Sequence, residues 1–477
     1  MKNPIILLLL FVTFSYGQTP CVNGYAGNYP CSGFGLQSQI PFTDMGATNA
    51  NDTWGWTDPL DNKEYAIVGL DNGTAFIDIS NPTNPIYLGK LPSASGTNLA
   101  RDIKTYNNYA FIVSEANNHG MQIFDLTQLR NVANPPATFT ADANYTEFSN
   151  AHNLAINEET GYAYALRTNT FGGGLHFIDI QDPLNPVAAG GFTGVYTHDA
   201  QIVNYQGPDT DYTGRELAFS FNGYDEDIWI IDVTNKSNPV AITDFNFTNS
   251  EHSHQGWLTE DHKYLIMGDE ADEINLGLNS RTIIFDISDL DNPVQSFEYY
   301  GDSSATDHNG YVKGDNYYLA NYAAGLRVID ISNIDNGAAV ETGFFDVYPP
   351  NDNAGFNGSW SVYPYFDSGN ILISALTYTD PNYTGGFFLV KDGLLGVSDL
   401  ENDADFSIHP NPVSNELFIA SDGITIEKIA VYSISGQKIQ AFENNNQSID
   451  VSNLAEGLYF IEIFSSESSS IQKFIKD

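Results

Sequence analysis

Four of the nine histidines recur at one position of a repeating pattern, so any chemistry is best sought there first. Along the 477 residues that position is held by Trp56, Arg101, His152, His198, His254, His308 and Trp360. The next residue is usually polar: Asp102, Asn153, Asp199, Gln255, Asn309, Ser361. Imidazoles flanked by Arg and Trp can hydrogen-bond to a ligand and stack on it. Four of them within reach of one another can also hold a transition metal, with His152, His198, His254 and His308 as the ligands. The recurrence has a structural reading too, in which each His hydrogen-bonds the neighbouring repeat unit. At this level both readings stand.

Acidic loops offer a different chemistry. The run from Gly268 through Asp269, Glu270, Asp272 and Glu273 suits Ca²⁺, as do Asp225 to Asp227 and the Asp209, Asp211 pair. Asp269 and Glu270 are the first candidates. None of these runs has the twelve-residue calcium loop with its central Gly and terminal Glu. With 60 acidic residues in the chain, such clusters are also expected on a solvated surface. Enzymatic signatures are absent: no Gly-x-Ser-x-Gly, no His-Glu-x-x-His and no phosphate loop. His252 and His254 have metal-like spacing on a strand, but no paired general base lies between them.

The elements that must position these residues form a repeat. Two β-prone apolar residues, an Asp and a turn recur with Asp78, Asp125, Asp179, Asp232, Asp286 and Asp330, at intervals of 44 to 54 residues. A seventh copy has Lys391 in place of the Asp. Each copy reads as a strand ending in a turn that the Asp side chain caps, and in most of them Asn-Pro opens the next strand. A period near 50 with almost no helical periodicity predicts an all-β fold, a seven-bladed β-propeller over residues 18–392. The seventh copy lacks a final strand. Phe34, Leu36, Ile40 and Phe42 alternate in the segment that would supply it, closing the ring and leaving no exposed edge.

The ends of the chain read differently. Lys2, the apolar run Ile5 to Phe14 and the small residues Ser15 and Gly17 predict an export signal over residues 1–17. That run is too short to span a bilayer, and no transmembrane segment follows. Cys21 and Cys31, just past the cleavage site, are expected to form a disulfide in an oxidising compartment. Residues 393–405 read as an acidic linker, and 406–477 as a small β-sandwich of short strands.

Two resemblances carry further. Pro410-Asn411-Pro412, Val431-Tyr432, Gly436-Gln437, Gly457-Leu458-Tyr459 and the ending Lys473-Phe474-Ile475 resemble the C-terminal sorting domain of type IX secretion cargo in Bacteroidota. That implies Sec export, the type IX machinery as partner, and a secreted or outer-membrane surface location. The repeats, with the segment Cys21 to Cys31, resemble the choice-of-anchor B family, whose blades are LVIVD repeats. This second resemblance implies a fold and an address, not a chemistry.

Composition excludes partners. Sixty acidic against 18 basic side chains give a net charge of −42, so there is no cationic patch for nucleic acid and no attraction to anionic membranes. The expected protein is a monomeric, non-catalytic binding module for a glycan, peptide or protein. The alternative is a metal-assisted hydrolase or lyase at the His-lined mouth. Ca²⁺ and a transition metal are the cofactors to consider.

Overall fold

The computed structural model describes residues 18–393, 406–421, 425–433, 438–443, 447–464 and 469–477. The export signal of 1–17 and the linker beyond Gly393 lie outside the described residues. The fold is all-β, and the chain divides into two compact units, one built on residues 24–393 and one on the C-terminal segment.

In the larger unit the strands form seven sheets, each with at least four strands. Asn153–Asn157, Tyr162–Leu166, Leu175–Asp179 and Val187–Phe192 are typical, pairing antiparallel in chain order. The first strands of the seven sheets are Ala50–Thr57, Arg101–Tyr106, Asn153–Asn157, Asp199–Asn204, Ser253–Leu258, Gly310–Lys313 and Gly358–Tyr363. Each packs against the first strand of the next sheet, and the last packs back onto Ala50–Thr57.

The repeated Asp ends the third strand of its sheet and caps the turn that follows. In all six copies one carboxylate oxygen accepts the N–H two residues on, from Ser80, Thr127, Gln181, Thr234, Ser288 and Ser332, at 2.7 to 3.0 Å. These residues are structural. Apolar side chains between sheets do the remaining work. One cluster joins Ile67, Phe76 and Tyr65 to Ile103, Ile112 and Phe124, and another joins Leu217, Phe219 and Ile230 to Leu265, Ile283 and Phe285. Each cluster draws on two neighbouring sheets, so no sheet covers itself.

The segment after the cysteines closes the array. Phe34–Pro41 pairs antiparallel with Gly386–Asp392 as the outer strand of the last sheet. Just before it, Tyr29–Ser32 extends the edge of the sixth sheet through Cys31 and Ser32 against Phe345 and Phe344. Cys21 and Cys31 are disulfide-bonded. Phe42, Met45, Ala66 and Val68 then share one core with Leu372, Phe387 and Leu389, which joins the first sheet to the last.

The C-terminal unit has a three-stranded and a four-stranded sheet. Leu417, Ile419 and Ile449 of one and Ile429, Val431, Ile461 and Phe474 of the other belong to a single core. Among the described residues no helix is long and apolar enough to cross a membrane.

Deleting residues 21–42 removes the closing strand and uncovers the edge of Gly386–Asp392. The thermal midpoint, followed by calorimetry, should fall sharply. An unchanged melting curve would refute closure by this segment.

Candidate functional site

The first strands begin where the sheets crowd together, and four histidines stand at or just before these starts. His152 and His198 immediately precede Asn153–Asn157 and Asp199–Asn204, His254 is the second residue of Ser253–Leu258, and His308 lies two residues before Gly310–Lys313. Their rings form a continuous row. Centroids are 4.4 Å apart from His152 to His198, 4.6 Å from His198 to His254 and 4.3 Å from His254 to His308. Trp360 continues the row 4.8 Å from His308, and His252 joins it 5.0 Å from His198.

Two of the expected positions are not part of this row. Trp56 lies towards the far end of its strand, buried against Tyr65 at a ring distance of 5.2 Å. The register is held instead by Asn51. Asp52, next to it, accepts the Thr53 N–H in the same way that Asp102 accepts Ile103 and Asp199 accepts Ala200. Arg101 occupies the expected position but turns away. It donates to the Leu70 carbonyl, to Ser93 Oγ and to His119 Nε2, at 2.9 to 3.1 Å.

The histidines make contacts between sheets, and this fixes their tautomers. His198 Nδ1 bonds the His254 carbonyl at 3.2 Å, and His308 Nδ1 bonds the Trp360 carbonyl. A carbonyl only accepts, so both Nδ1 atoms carry the proton and both Nε2 atoms keep a lone pair. His152 Nδ1 donates to Glu115 Oε1 at 2.8 Å, which holds the Glu115 carboxyl below its ordinary range. Burial keeps the other rings neutral. His198 and His254 are pushed well below the ordinary histidine value, His252 to about 4 and His308 to about 3, in each case by desolvation first. Neutral imidazole is the form that ligates metals.

Glu270 faces these nitrogens. Its Oε2 is 3.6 Å from His254 Nε2 and its Oε1 is 3.6 Å from His308 Nε2. These gaps are too long for hydrogen bonds. They fit two ligands of one ion, since tetrahedral donors about 2.1 Å from a metal stand about 3.4 Å apart. The three ligand atoms all lie within 4.8 Å of one another. Tyr322 donates to Glu270 Oε1 at 2.8 Å, and desolvation raises the carboxyl to about 7. His254 Nδ1 and His252 Nδ1 are buried without hydrogen-bond partners.

The loop carrying Glu270 is anchored by buried polar groups. Asp269, offered by its spacing as a calcium ligand, instead spends its oxygens on the backbone, accepting the N–H groups of Glu251, His252 and Ala271 at 2.8 to 3.0 Å. Two imidazoles and one carboxylate meet at Glu270, a donor set suited to a transition metal rather than to Ca²⁺. Beyond it, Arg281 is wholly buried, bonds Asp272 at 2.6 Å and donates to the carbonyls of Thr248 and Asn249 at 2.8 Å. Asp307 accepts from Ser280 and from Asn321 Nδ2, which fixes the chain next to His308 and Tyr322. A separate trio, Asp209, Asp289 and Asp291, also has its oxygens within 4.8 Å of one another, but two of the three are exposed.

No local sequence pattern pairs Glu115, Glu270 or Tyr322 with the histidines. A signal was there: each follows or ends the second strand of its sheet, where an apolar run stops at a polar residue. The corresponding positions elsewhere are Asp71, Arg167, Asn222 and Thr377.

Comparison with known proteins places the parts. Residues 407–477 match the secretion system C-terminal sorting domain, and residues 63–91, 223–246 and 311–336 match the LVIVD repeat. The tail is a type IX sorting domain and marks the protein for export to the surface or the medium. No curated protein sequence matches the chain. Similar solved structures include PorZ of Porphyromonas gingivalis, described as an essential bacterial surface component of the type-IX secretion system. It is 13% identical with a TM-score of 0.40, over 90% of this chain and 58% of PorZ. The chain therefore spans a little over half of PorZ's length. The C-terminal WD40 domain of Sif2 is 10% identical with a TM-score of 0.44, over 75% of this chain and 84% of that one. The periplasmic gluconolactonase PpgL of Pseudomonas aeruginosa is 11% identical with a TM-score of 0.43, over 62% and 88%.

The anchoring network makes a prediction about protonation. Glu273 is pushed up to about 12 by burial first, then by Asp307 and Asp272, so it folds as a neutral acid. Its Oε2 and the Asp272 Oδ1 both lack a donor, and one proton on Glu273 serves the two. The folded state then holds a proton the unfolded state has lost, so this group's contribution to stability declines as pH rises above about 4.3. Glu273→Gln should be tolerated, and its melting point should gain on the native protein's between about pH 5 and pH 8. Asp272→Asn, which leaves Arg281 buried without its closest anion, should cost about 3–5 kcal/mol in denaturant titration. A pH-independent difference between Glu273→Gln and the native protein would refute the neutral acid.

Proposed function

We propose that this chain is a seven-bladed β-propeller of the choice-of-anchor B family that acts outside the cell as a binding module. Its His-lined mouth holds a divalent transition-metal ion through His254, His308 and Glu270. In this reading residues 1–17 direct Sec export, 18–392 are the propeller, 393–405 are a linker and 406–477 are a β-sandwich read by the type IX machinery. The working protein is a monomer.

One observation carries the metal assignment. Two imidazole Nε2 atoms and a carboxylate converge at 3.6 Å spacings without hydrogen-bonding one another. The His308 Nδ1 is already committed to a neighbouring carbonyl, which fixes the ring and its tautomer as a metal-ligating imidazole requires. Three protein ligands leave a coordination position for a group on the extracellular ligand. A catalytic reading of the same mouth, as a hydrolase or lyase, draws on the His152–Glu115 couple two rings away, which has the form of an oriented base. It predicts turnover that His152→Ala abolishes, whereas a binding module predicts capture without turnover.

Protein purified without a His tag and supplied with zinc should carry about one equivalent by elemental analysis, falling below about a tenth in His254→Ala and in Glu270→Gln. Native protein below that level would end the assignment. Removing residues 406–477 should leave the protein in the periplasm. Its continued appearance outside the cell would contradict export through the tail.

A further inference from the structure

One residue past the histidines, the first strands surround a cavity of about 440 Å³, within the usual range of small-molecule sites. All seven sheets contribute to it, and its walls differ. One side is a connected aromatic surface. Trp54 lies 5.1 Å from Tyr363 and 5.9 Å from Tyr311, Tyr363 lies 5.4 Å from Tyr365, and Trp257 lies 5.0 Å from Tyr311. The other side carries Asp102, Asp199 and Lys104, with Asp52 beside them.

Carboxyl groups outnumber cations in this lining. Asp52, Asp102 and Asp199 face one cation, Lys104, whose Nζ is 2.5 Å from Asp102 and 3.8 Å from Asp52. Asp102 is well served, since it also accepts the N–H groups of Ile103 and Leu154 at 2.6 and 2.7 Å. Asp199 accepts one backbone N–H, from Ala200, whereas Asp52 accepts that of Thr53 and also meets the side chains of Asp102 and Ser361. Desolvation raises both carboxyls, Asp199 to about 7. Glu158 and Glu260 add two more acids to the lining and no further cation. The wholly buried Ser361 hydroxyl stands beside Asp52 and Tyr311.

Lys104 shows what such a place accommodates. Its ammonium sits 4.6 Å above the Trp54 ring while contacting two carboxylates, a cation held by π-faces and anions together. From these observations we propose that the cavity binds a small organic cation whose alkylammonium group is received by Asp199 and whose apolar stem lies on the aromatic wall of Trp54, Trp257 and Tyr311. The proposal is independent of the metal at the mouth.

The group has two sources, a free amine or a lysine side chain, and calorimetry on the full exported chain separates them. Cadaverine and a capped lysine are titrated as probes, with 1-pentanol as the neutral control. Saturable binding of cadaverine or capped lysine without binding of 1-pentanol is expected, and the tighter of the two identifies the source. Asp199→Asn and Trp257→Leu should each weaken binding about tenfold or more, and either suffices if the other fails to fold. No heat from either amine, equal binding of 1-pentanol, or undiminished affinity in a folded variant would overturn the proposal.

Discussion

A sheet that is apolar on both faces cannot exist alone in water, and every sheet of the larger unit is of this kind. Buried residues alternate to both sides: Tyr65, Ile67 and Phe76 turn toward the second sheet, while Ala66, Val68 and Ala75 turn toward the last. An open row of such sheets would leave two apolar faces wet, so the array must return on itself. The return is made in sequence by residues 34–41, the outermost strand of the sheet that the chain builds last. Closure also dictates the centre. Seven first strands converge, and polar side chains at their starts must bond across sheets. Gln255 exchanges two hydrogen bonds with Gly310, Asn153 bonds the His198 carbonyl, and Asp102 takes the Leu154 N–H. The site and the cavity are both consequences of that convergence.

What could be read in the sequence follows the range of the interactions. The Asp turns were legible because the hydrogen bond spans two residues and depends on little else. The closing strand was legible because alternation at Phe34, Leu36 and Ile40 has one explanation, a strand needing a partner. The histidine row was legible as a recurrence, but its register was not. The first sheet opens with an eight-residue strand whose pairing shifts between Ala50 and Thr53, so counting from the repeated Asp led to Trp56 where Asn51 stands. Glu270 and Tyr322 meet from residues 52 apart, on loops after the second strands of two sheets. No local pattern reports such a contact. Nor does the sequence say which way Arg101 turns, since that is decided by the Leu70 carbonyl and His119 across the sheet.

The opposition between a structural and a ligand-binding histidine dissolves in the geometry. Imidazole has two nitrogens on opposite sides of the ring, and at His198 and His308 one of them bonds the neighbouring sheet. That bond places the proton on Nδ1, which leaves Nε2 with its lone pair. The side chains other than histidine at this station offer no such lone-pair nitrogen. Asn51 spends its amide on the Leu99 carbonyl, and Arg101 spends its guanidinium on Leu70, Ser93 and His119. At His198 and His308 the residue that ties neighbouring sheets together therefore keeps a second nitrogen that takes no part in the tie.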